Sequence, residues 1–224
     1  MARRQQSKNR PVSRELPEDR AVQIARDPRQ TDIDRASACA EIGRQRSRSA
    51  LPALIEIVSS GEEREPLFSA LAAIGMIGSR AATRPLMKVI ARSPPLKRQC
   101  ALITLGQLAD RRARQLFART LSDPSELAKT RGIAAEALGL LPPSRQVVKA
   151  LVSALADPSA EVRYSALCGA EALRCRECLP ALRALLGDRV VVEGAHTLAD
   201  QAANAVRIIE EYRAPRTVKR CRAT

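Results

Sequence analysis

Two cysteines, Cys175 and Cys178, stand two residues apart and have the spacing of residues that do thiol chemistry. Such a pair acts as a redox couple in a strand-turn-helix setting, and as half of a zinc site when two further ligands lie near it. Cys168 and His196, the only histidine, are the candidates for those further ligands. A third interpretation is that the two are unpaired structural thiols, because free cysteine packs as a small hydrophobic residue. We favour the third interpretation and predict no metal site.

No other catalytic signature accompanies the cysteine pair. The sequence contains no Ser-His-Asp set, no glycine-rich phosphate loop and no paired carboxylates with supporting residues. We therefore expect a non-enzymatic protein without catalytic residues and without a cofactor.

The composition indicates a helical core built from small side chains. Hydrophobic residues make up 45% of the 224, yet aromatic residues make up only 2% and tryptophan is absent. A core of Ala, Leu, Ile and Val lets helix backbones approach closely, which favours helix-on-helix packing. The only candidate strand, Arg189 to Val192, is too short for a sheet, so the sequence predicts an all-α fold.

The positive charge is concentrated at the two ends of the chain. Net charge is +14, and residues 1–14 and 213–224 hold ten Lys and Arg without an acid. The other 28 basic residues face 24 acids, which leaves the body at +4. We interpret 1–17 and 213–224 as basic disordered tails around a repeat array at 18–212. Two roles stay open for the tails: solubilising ends, or electrostatic attraction to nucleic acid or acidic proteins.

The expected cellular compartment is inferred from the cysteines and from the lack of long apolar segments. A chain of this length buries a core without disulfides, so six cysteines are interpreted as reduced thiols. The basic start is followed by no apolar segment, and no apolar run approaches the ~20 residues of a membrane span. We expect a cytoplasmic monomer that does not bind membranes.

Five ten-residue segments of the chain align with one another, and one column of the alignment is alanine throughout. The steps from one alanine to the next are 32, 31, 33 and 32 residues. An alanine at a fixed place in each repeat predicts a helix face that meets a neighbouring helix at close range. The column consists of Ala38, Ala70, Ala101, Ala134 and Ala166.

Two further columns are nearly uniform. Glycine follows each apolar stretch, where a left-handed conformation would end the helix. Arginine precedes the alanine by three residues, from where it can bridge neighbouring repeats through carboxylates or helix ends. The glycines are Gly43, Gly75, Gly106 and Gly139. The arginines are Arg35, Arg98, Arg131 and Arg163.

Asp-Pro pairs and short second helices complete the repeat. Asp27-Pro28, Asp123-Pro124 and Asp157-Pro158 are predicted to open three first helices, since Asp caps free amides and Pro suits the first helical position. A second apolar helix follows each first one after a short loop. Segments 18–26 and 197–212 are expected to cap the ends. The prediction is an all-α solenoid of about five helix pairs.

This period and these columns resemble HEAT repeats, in particular the short bacterial HEAT-like repeats also seen in bilin lyases. The segment from Asp157 to Leu173 is the most similar, and the resemblance covers about residues 27–210. It implies a right-handed superhelix in which the second helices line the concave face. HEAT-like hydroxylases carry metal-binding His-Glu pairs in their first helices, but the equivalent place after Arg131 holds Gly132-Ile133.

A solenoid offers an extended surface, so our first hypothesis is a scaffold or adaptor that binds a protein partner. Because the charges on the second helices are mixed, we expect no uniform basic groove. A nucleic-acid-associated protein held by its basic tails is an alternative. A HEAT-like lyase or chaperone subunit that acts on a chromophore protein is another. The candidate contact residues are Glu56, Lys88, Arg119, Lys149 and Arg183.

Overall fold

The computed structural model describes residues 16–60, 64–193 and 196–212, and in this part of the chain it is almost entirely helical. The predicted all-α solenoid is confirmed. A two-stranded ribbon, β1 (Val191–Glu193) and β2 (His196–Thr197), interrupts the helices once. The helices are α1 (Glu18–Arg26), α2 (Asp32–Arg44), α3 (Leu51–Ser59), α4 (Glu65–Ile77), α5 (Thr83–Ile90), α6 (Pro95–Gln107), α7 (Arg114–Ser122), α8 (Ala128–Gly139), α9 (Arg145–Ala154), α10 (Ala160–Ala172), α11 (Leu179–Ala184) and α12 (Leu198–Glu211).

The chain divides into two compact units, Met1–Ile77 and Gly78–Thr224, which we call the N-terminal and C-terminal units. In the N-terminal unit α2 packs against α1 and α4, and α3 packs against α4. In the C-terminal unit α6, α8, α10 and α12 pack in succession as one layer. The second helices form the other layer, in which α7 packs against α9.

The predicted tails fall mainly outside the described residues. Only Leu16 and Pro17 of the segment 1–17 are described, and none of 213–224 is. The carbonyl oxygen of Leu16 accepts a hydrogen bond of 2.7 Å from Gln45 Nε2, and that of Pro17 accepts one from the backbone N–H of Ala21. Pro17 is therefore the N-cap of α1, and Leu16 is bonded to the C-cap residue of α2.

The alanine column lies in the interior of the packed first helices. Each of its five members is at most 1% exposed, and Ala202 in α12, the equivalent of a degenerate sixth repeat, is fully buried. A methyl group is thus the largest side chain that stands at these positions, as helices packed at close range require.

The glycine column does not end the helices, which corrects the sequence-based expectation. Gly43 and Gly106 lie inside α2 and α6, one residue before the last, and Gly139 is the last helical residue of α8. The left-handed backbone conformation occurs three positions after the repeat column instead, mostly in residues other than glycine. These residues are Arg46, Gly78, Ala109 and Arg174.

Close approach of neighbouring first helices explains the glycines. A Cβ atom on Gly139 would lie 2.5 Å from the Cα of Gly169, and one on Gly43 would lie 2.9 Å from the Cα of Ala73. Both contacts are with backbone atoms, which do not rotate away. Gly75 lies inside α4 and is half-buried.

The Asp-Pro pairs also differ from their predicted role, because they form the turns that precede the first helices. Helix α2 begins at Asp32 with Thr31 as its N-cap, five residues after Asp27. The Asp27 carboxylate accepts the backbone N–H of Arg29 at 2.9 Å, which is the bond of an Asx-turn. Asp123 and Asp157 make the equivalent bonds with the backbone N–H groups of Ser125 and Ser159.

The segment from Arg189 to Val192 pairs after all, in contrast to the prediction of no sheet. Val191 lies opposite Thr197 in an antiparallel ribbon. Backbone bonds from Leu198 to the Val190 carbonyl and from Ala199 to the Asp188 carbonyl, both 2.8 Å, fasten the ribbon to the start of α12. The pairing is local, so a run too short for a sheet suffices for it.

We predict that Gly139→Ala destabilises the fold by about 1–3 kcal/mol, because the added methyl group overpacks the contact between α8 and α10. Gly187→Ala is the matched control, since a Cβ atom there has no neighbour within 4 Å. The control should change the free energy of unfolding by about 0.5 kcal/mol or less. Urea unfolding measures both, and equal effects would contradict the close approach.

Candidate functional site

The arginine column lies at the turns that lead from one repeat into the next. Arg131 Nη2 lies 2.9 Å from Asp157 Oδ1, and its Nη1 donates to the carbonyl oxygen of Glu126. Arg163 donates to Asp188 Oδ2 through Nε and Nη2, at 3.0 and 2.7 Å. The backbone N–H of Val190 and the Arg163 guanidinium lower the pKa of Asp188. These arginines bridge neighbouring repeats.

The two remaining members of the column make comparable contacts. Arg98 is hydrogen-bonded to the carboxylate of Glu126 in the next repeat. In the N-terminal unit Arg35 donates from Nε to the carbonyl oxygen of Ala25, at the end of α1, over 3.2 Å. All four guanidinium groups are therefore engaged within the array.

A buried aspartate, Asp110, stabilises a turn between the first and the second helix of a repeat. Asp110, which is 4% exposed, accepts hydrogen bonds from Thr83 Oγ1 and Arg112 Nε, each of 2.8 Å. Arg112 holds the pKa of the Asp110 carboxyl well below its usual range. The Nη2 atom of Arg112 donates to the carbonyl oxygen of Arg80 at 2.7 Å. Two consecutive turns are thus joined directly.

Positive charge in the C-terminal unit is concentrated in what we call the second-helix layer. This layer comprises the four segments that run from each such turn to the end of the second helix. It holds twelve Lys and Arg and two acids, a net charge of +10, whereas the rest of 78–212 holds eight and eleven. The net charge of +4 that the sequence gives for the whole body does not reveal this separation of charge. The segments are 78–90, 108–122, 140–154 and 173–187.

The sequence-predicted contact residues divide between the two units. Glu56 belongs to the N-terminal unit, where its carboxylate lies 2.6 Å from Arg26 Nη2. Lys88, Arg119 and Lys149 are exposed on α5, α7 and α9. Arg183 on α11 is exposed and paired with Glu210. In the C-terminal unit all of these residues are positive, so the expectation of mixed charge is wrong there.

Sequence reasoning missed a second row of arginines, which we call the edge row. Its members begin the helical segment that opens each second helix of the C-terminal unit, and all are exposed. Each stands six residues before a buried Leu or Phe of that helix. An alignment of the second helices, instead of the first ones alone, would have found the row. It consists of Arg80, Arg111, Arg145 and Arg176, at steps of 31, 34 and 31 residues.

The cysteine pair is buried in the last of these turns. Cys175 and Cys178 flank the 3-10 turn before α11, and the thiol of Cys178 donates to the Cys175 sulfur. That bond lowers the pKa of Cys175, and the same bond together with burial raises the pKa of Cys178. The segment before the pair is helix α10, so the strand-turn-helix setting of a redox motif is not formed here.

Two further properties concern only the described ranges. Within them, no group of three or more His, Cys, Asp or Glu side chains is placed to hold a metal ion. Among the helices described, none combines the length and the apolar character required to cross a membrane.

The part of the chain that carries this surface matches a known repeat family. Residues 83–167, from α5 into α10, match the family model described as HEAT repeats. The match spans 85 of the 224 residues. The resemblance proposed from the alanine, glycine and arginine columns is thereby confirmed.

Solved structures share the fold. A structure of the complex of CpcE and CpcF of phycocyanin lyase from Nostoc sp. PCC7120 is 20% identical, with a TM-score of 0.56 over 71% of this chain and 99% of that one. The designed armadillo repeat protein YIII(Dq)4CqI is 18% identical, with a TM-score of 0.52 over 84% and 98%. A related design, solved in complex with the peptide (KR)4, is 20% identical, with a TM-score of 0.52 over 83% and 98%. A search of curated protein sequences finds no match.

We predict that Asp110→Asn destabilises the protein by about 1–3 kcal/mol at pH 7, because the buried charge-assisted bonds to Arg112 are lost. The folded pKa of Asp110 lies below the value of ~3.9 for an unfolded aspartate. Its contribution is therefore complete above about pH 4 and is lost as the pH falls toward the folded pKa. Thermal unfolding from pH 7 to pH 3 measures this, with the exposed Asp19→Asn as control. A difference between Asp110→Asn and wild type that stays constant over this range would contradict the role of the Asp110 charge.

Chelation tests the interpretation of the cysteine pair. If Cys175 and Cys178 are structural thiols, EDTA leaves the melting temperature unchanged, whereas removal of a structural metal would lower it. Metal analysis of the purified protein accompanies the melting curve. Stoichiometric zinc that EDTA removes, with a loss of stability, would show that the pair belongs to a metal site.

Proposed function

We propose that this HEAT-repeat protein is a non-enzymatic scaffold that binds an acidic segment of a protein partner on the exposed surface of α5, α7 and α9. One observation carries the proposal: these second helices contain no acidic residue, while they expose Lys88, Arg119 and Lys149. No hydrogen bond or ion pair with a described residue occupies these three side chains. A surface of exposed, unpaired cations attracts a partner of opposite charge and speeds its encounter.

Two of the three cations share one register on the second helices, and the third lies one helical turn nearer the start of its helix. Lys88 and Arg119 each stand two residues after the buried Leu86 and Phe117, and Lys149 stands two residues before the buried Leu151. Half-buried apolar residues separate them along the surface, among them Ala118, Val148 and Val152. A partner segment that lies across the helices therefore meets charge and apolar contact in alternation, which is the composition of a polar protein interface.

Structures of the same fold support an extended partner. The design solved with the peptide (KR)4 binds a basic peptide, and CpcE and CpcF are two chains in one complex. In this chain the second-helix layer carries a net charge of +10, the opposite of what a basic peptide requires. We therefore infer that the segment bound here is acidic.

Charge removal on this surface tests the proposal. We expect the labelled peptide (DE)4 to bind the wild-type chain and to bind K88Q/R119Q/K149Q about tenfold more weakly, because three surface ion pairs of about 0.2–1 kcal/mol each are lost. Fluorescence anisotropy measures the affinity.

The matched control is R80Q/R111Q/R145Q, which removes the same number of charges from the edge row of the same unit. It should bind the peptide nearly as wild type does. Equal losses in the two variants would reduce the effect to net charge and sink the proposal, as would the absence of binding by the wild-type chain.

A further inference from the structure

We propose that the edge row, which lies at the start of the second helices and does not include Lys88, Arg119 or Lys149, binds the phosphate backbone of double-stranded nucleic acid. The sequence pointed to the basic tails for such binding, but residues 1–14 and 213–224 lie outside the described part of the chain. The edge row gives the folded C-terminal unit an anion-binding surface of its own.

The turns that carry the edge row are fixed side by side. The bond from Arg112 to the carbonyl oxygen of Arg80 joins the first turn to the second. Farther along the unit, Arg145 and Arg174 line one groove of about 520 Å³ between two neighbouring turns. Helices in contact lie about 8–10 Å apart, so the three steps between four repeats place the row over roughly 24–30 Å. This length is close to one turn of B-form DNA, about 34 Å.

The edge row does not serve the helices on which it lies. Arg80, Arg111 and Arg176 begin 3-10 turns that open second helices, and Arg145 is the first residue of α9. A positive charge at a helix N-terminus opposes the helix dipole, so it weakens the helix rather than stabilising it. The side chains of Arg80, Arg111 and Arg145 have no hydrogen bond or ion pair with a described residue. Arg176 bonds to carbonyl oxygens at the end of α12, so three of the four arginines lack a partner in the described chain, which points to a ligand outside it.

The two edges of the C-terminal unit differ in net charge. The turns that carry the edge row contain eight arginines and two acids, one of which is the buried Asp110 bound to Arg112. The turns at the opposite edge contain seven basic and seven acidic residues. The first edge therefore carries a net positive charge, which favours the release of counterions from a phosphate backbone. The edge-row turns are 78–84, 107–115, 139–146 and 172–180, and the opposite turns are 91–98, 122–131, 155–163 and 186–200.

The surroundings of the edge row favour a nucleic-acid duplex over a protein or a single strand. Among large hydrophobic residues of the described edge-row turns, only Leu140 is exposed, whereas the opposite edge exposes Leu96, Leu127, Val190 and Val191. The apolar centre of a protein interface is thus missing. The four turns contain no aromatic residue on which unpaired bases would stack. Arginine matches phosphate geometry through its planar fork of donors.

The test compares R80Q/R111Q/R145Q with K88Q/R119Q/K149Q in the full chain, tails included. Arg176 is retained because it donates to the carbonyl oxygens of Glu210 and Tyr212. Anisotropy with a labelled mixed-sequence DNA duplex is measured over a range of salt concentrations. We expect the edge variant to lose about tenfold or more in affinity at low salt, and the slope of log K against log salt to fall by about 3. The control should change that slope by about 1 or less.

Several outcomes would overturn the proposal. An edge variant that binds like wild type would place the binding in the tails, and equal losses in the two variants would leave only net charge. Tighter binding of the single strand, or displacement of the duplex by an equal charge of (DE)4, would exclude a duplex site. Circular dichroism checks folding, and R111Q alone, with an expected slope change of about 1, replaces a triple variant that unfolds. The peptide assay is decided by the loss of affinity in K88Q/R119Q/K149Q. A negative result in the duplex assay therefore leaves the proposed protein-binding surface to be tested separately.

Discussion

Neighbouring first helices stack only where nothing larger than a methyl group stands between them, and the rest of the structure depends on this constraint. Gly139 and Gly169 bring two backbones so close that a single Cβ atom has no room, and Ala134 is fully buried in the same helix pair. Such contacts set the distance between repeats. The same distance then determines which side chains of neighbouring turns reach one another.

The two sets of turns differ in how their charged side chains are paired. Where a second helix leads into the next repeat, Arg131 and Arg163 form ion pairs with Asp157 and Asp188. Positive charge is therefore neutralised within the array. Where a first helix leads into its second helix in the C-terminal unit, Asp110 is the only buried acid of the described turns and binds Arg112, while Arg80, Arg111 and Arg145 are exposed. One edge is therefore paired within the array, whereas three arginines of the other make no bond with a described residue.

The cysteine pair shows how position decides chemistry. Cys175 and Cys178 have the spacing of a redox motif, yet they follow helix α10 and bond to one another in the interior. The bond makes their two pKa values move in opposite directions, since one thiol donates the proton and the other accepts it. The pair is buried in its turn, where Cys175 lines the same groove as Arg145 and Arg174.

The sequence by itself determined the repeat period, the helix pairs and the positions of the buried alanines, because a side chain that faces a neighbour in every repeat must recur at the repeat length. The sequence did not determine why glycine recurs. Gly43 has ordinary helical neighbours along the chain, and only the close approach of Ala73 on the next first helix, α4, explains it. Net charge was also misleading, because a sum of +4 over the body ignores where each charge lies. Only the tertiary structure decided that the column arginines meet carboxylates while Arg80, Arg111 and Arg145 do not, since charges far apart in the sequence pair through space.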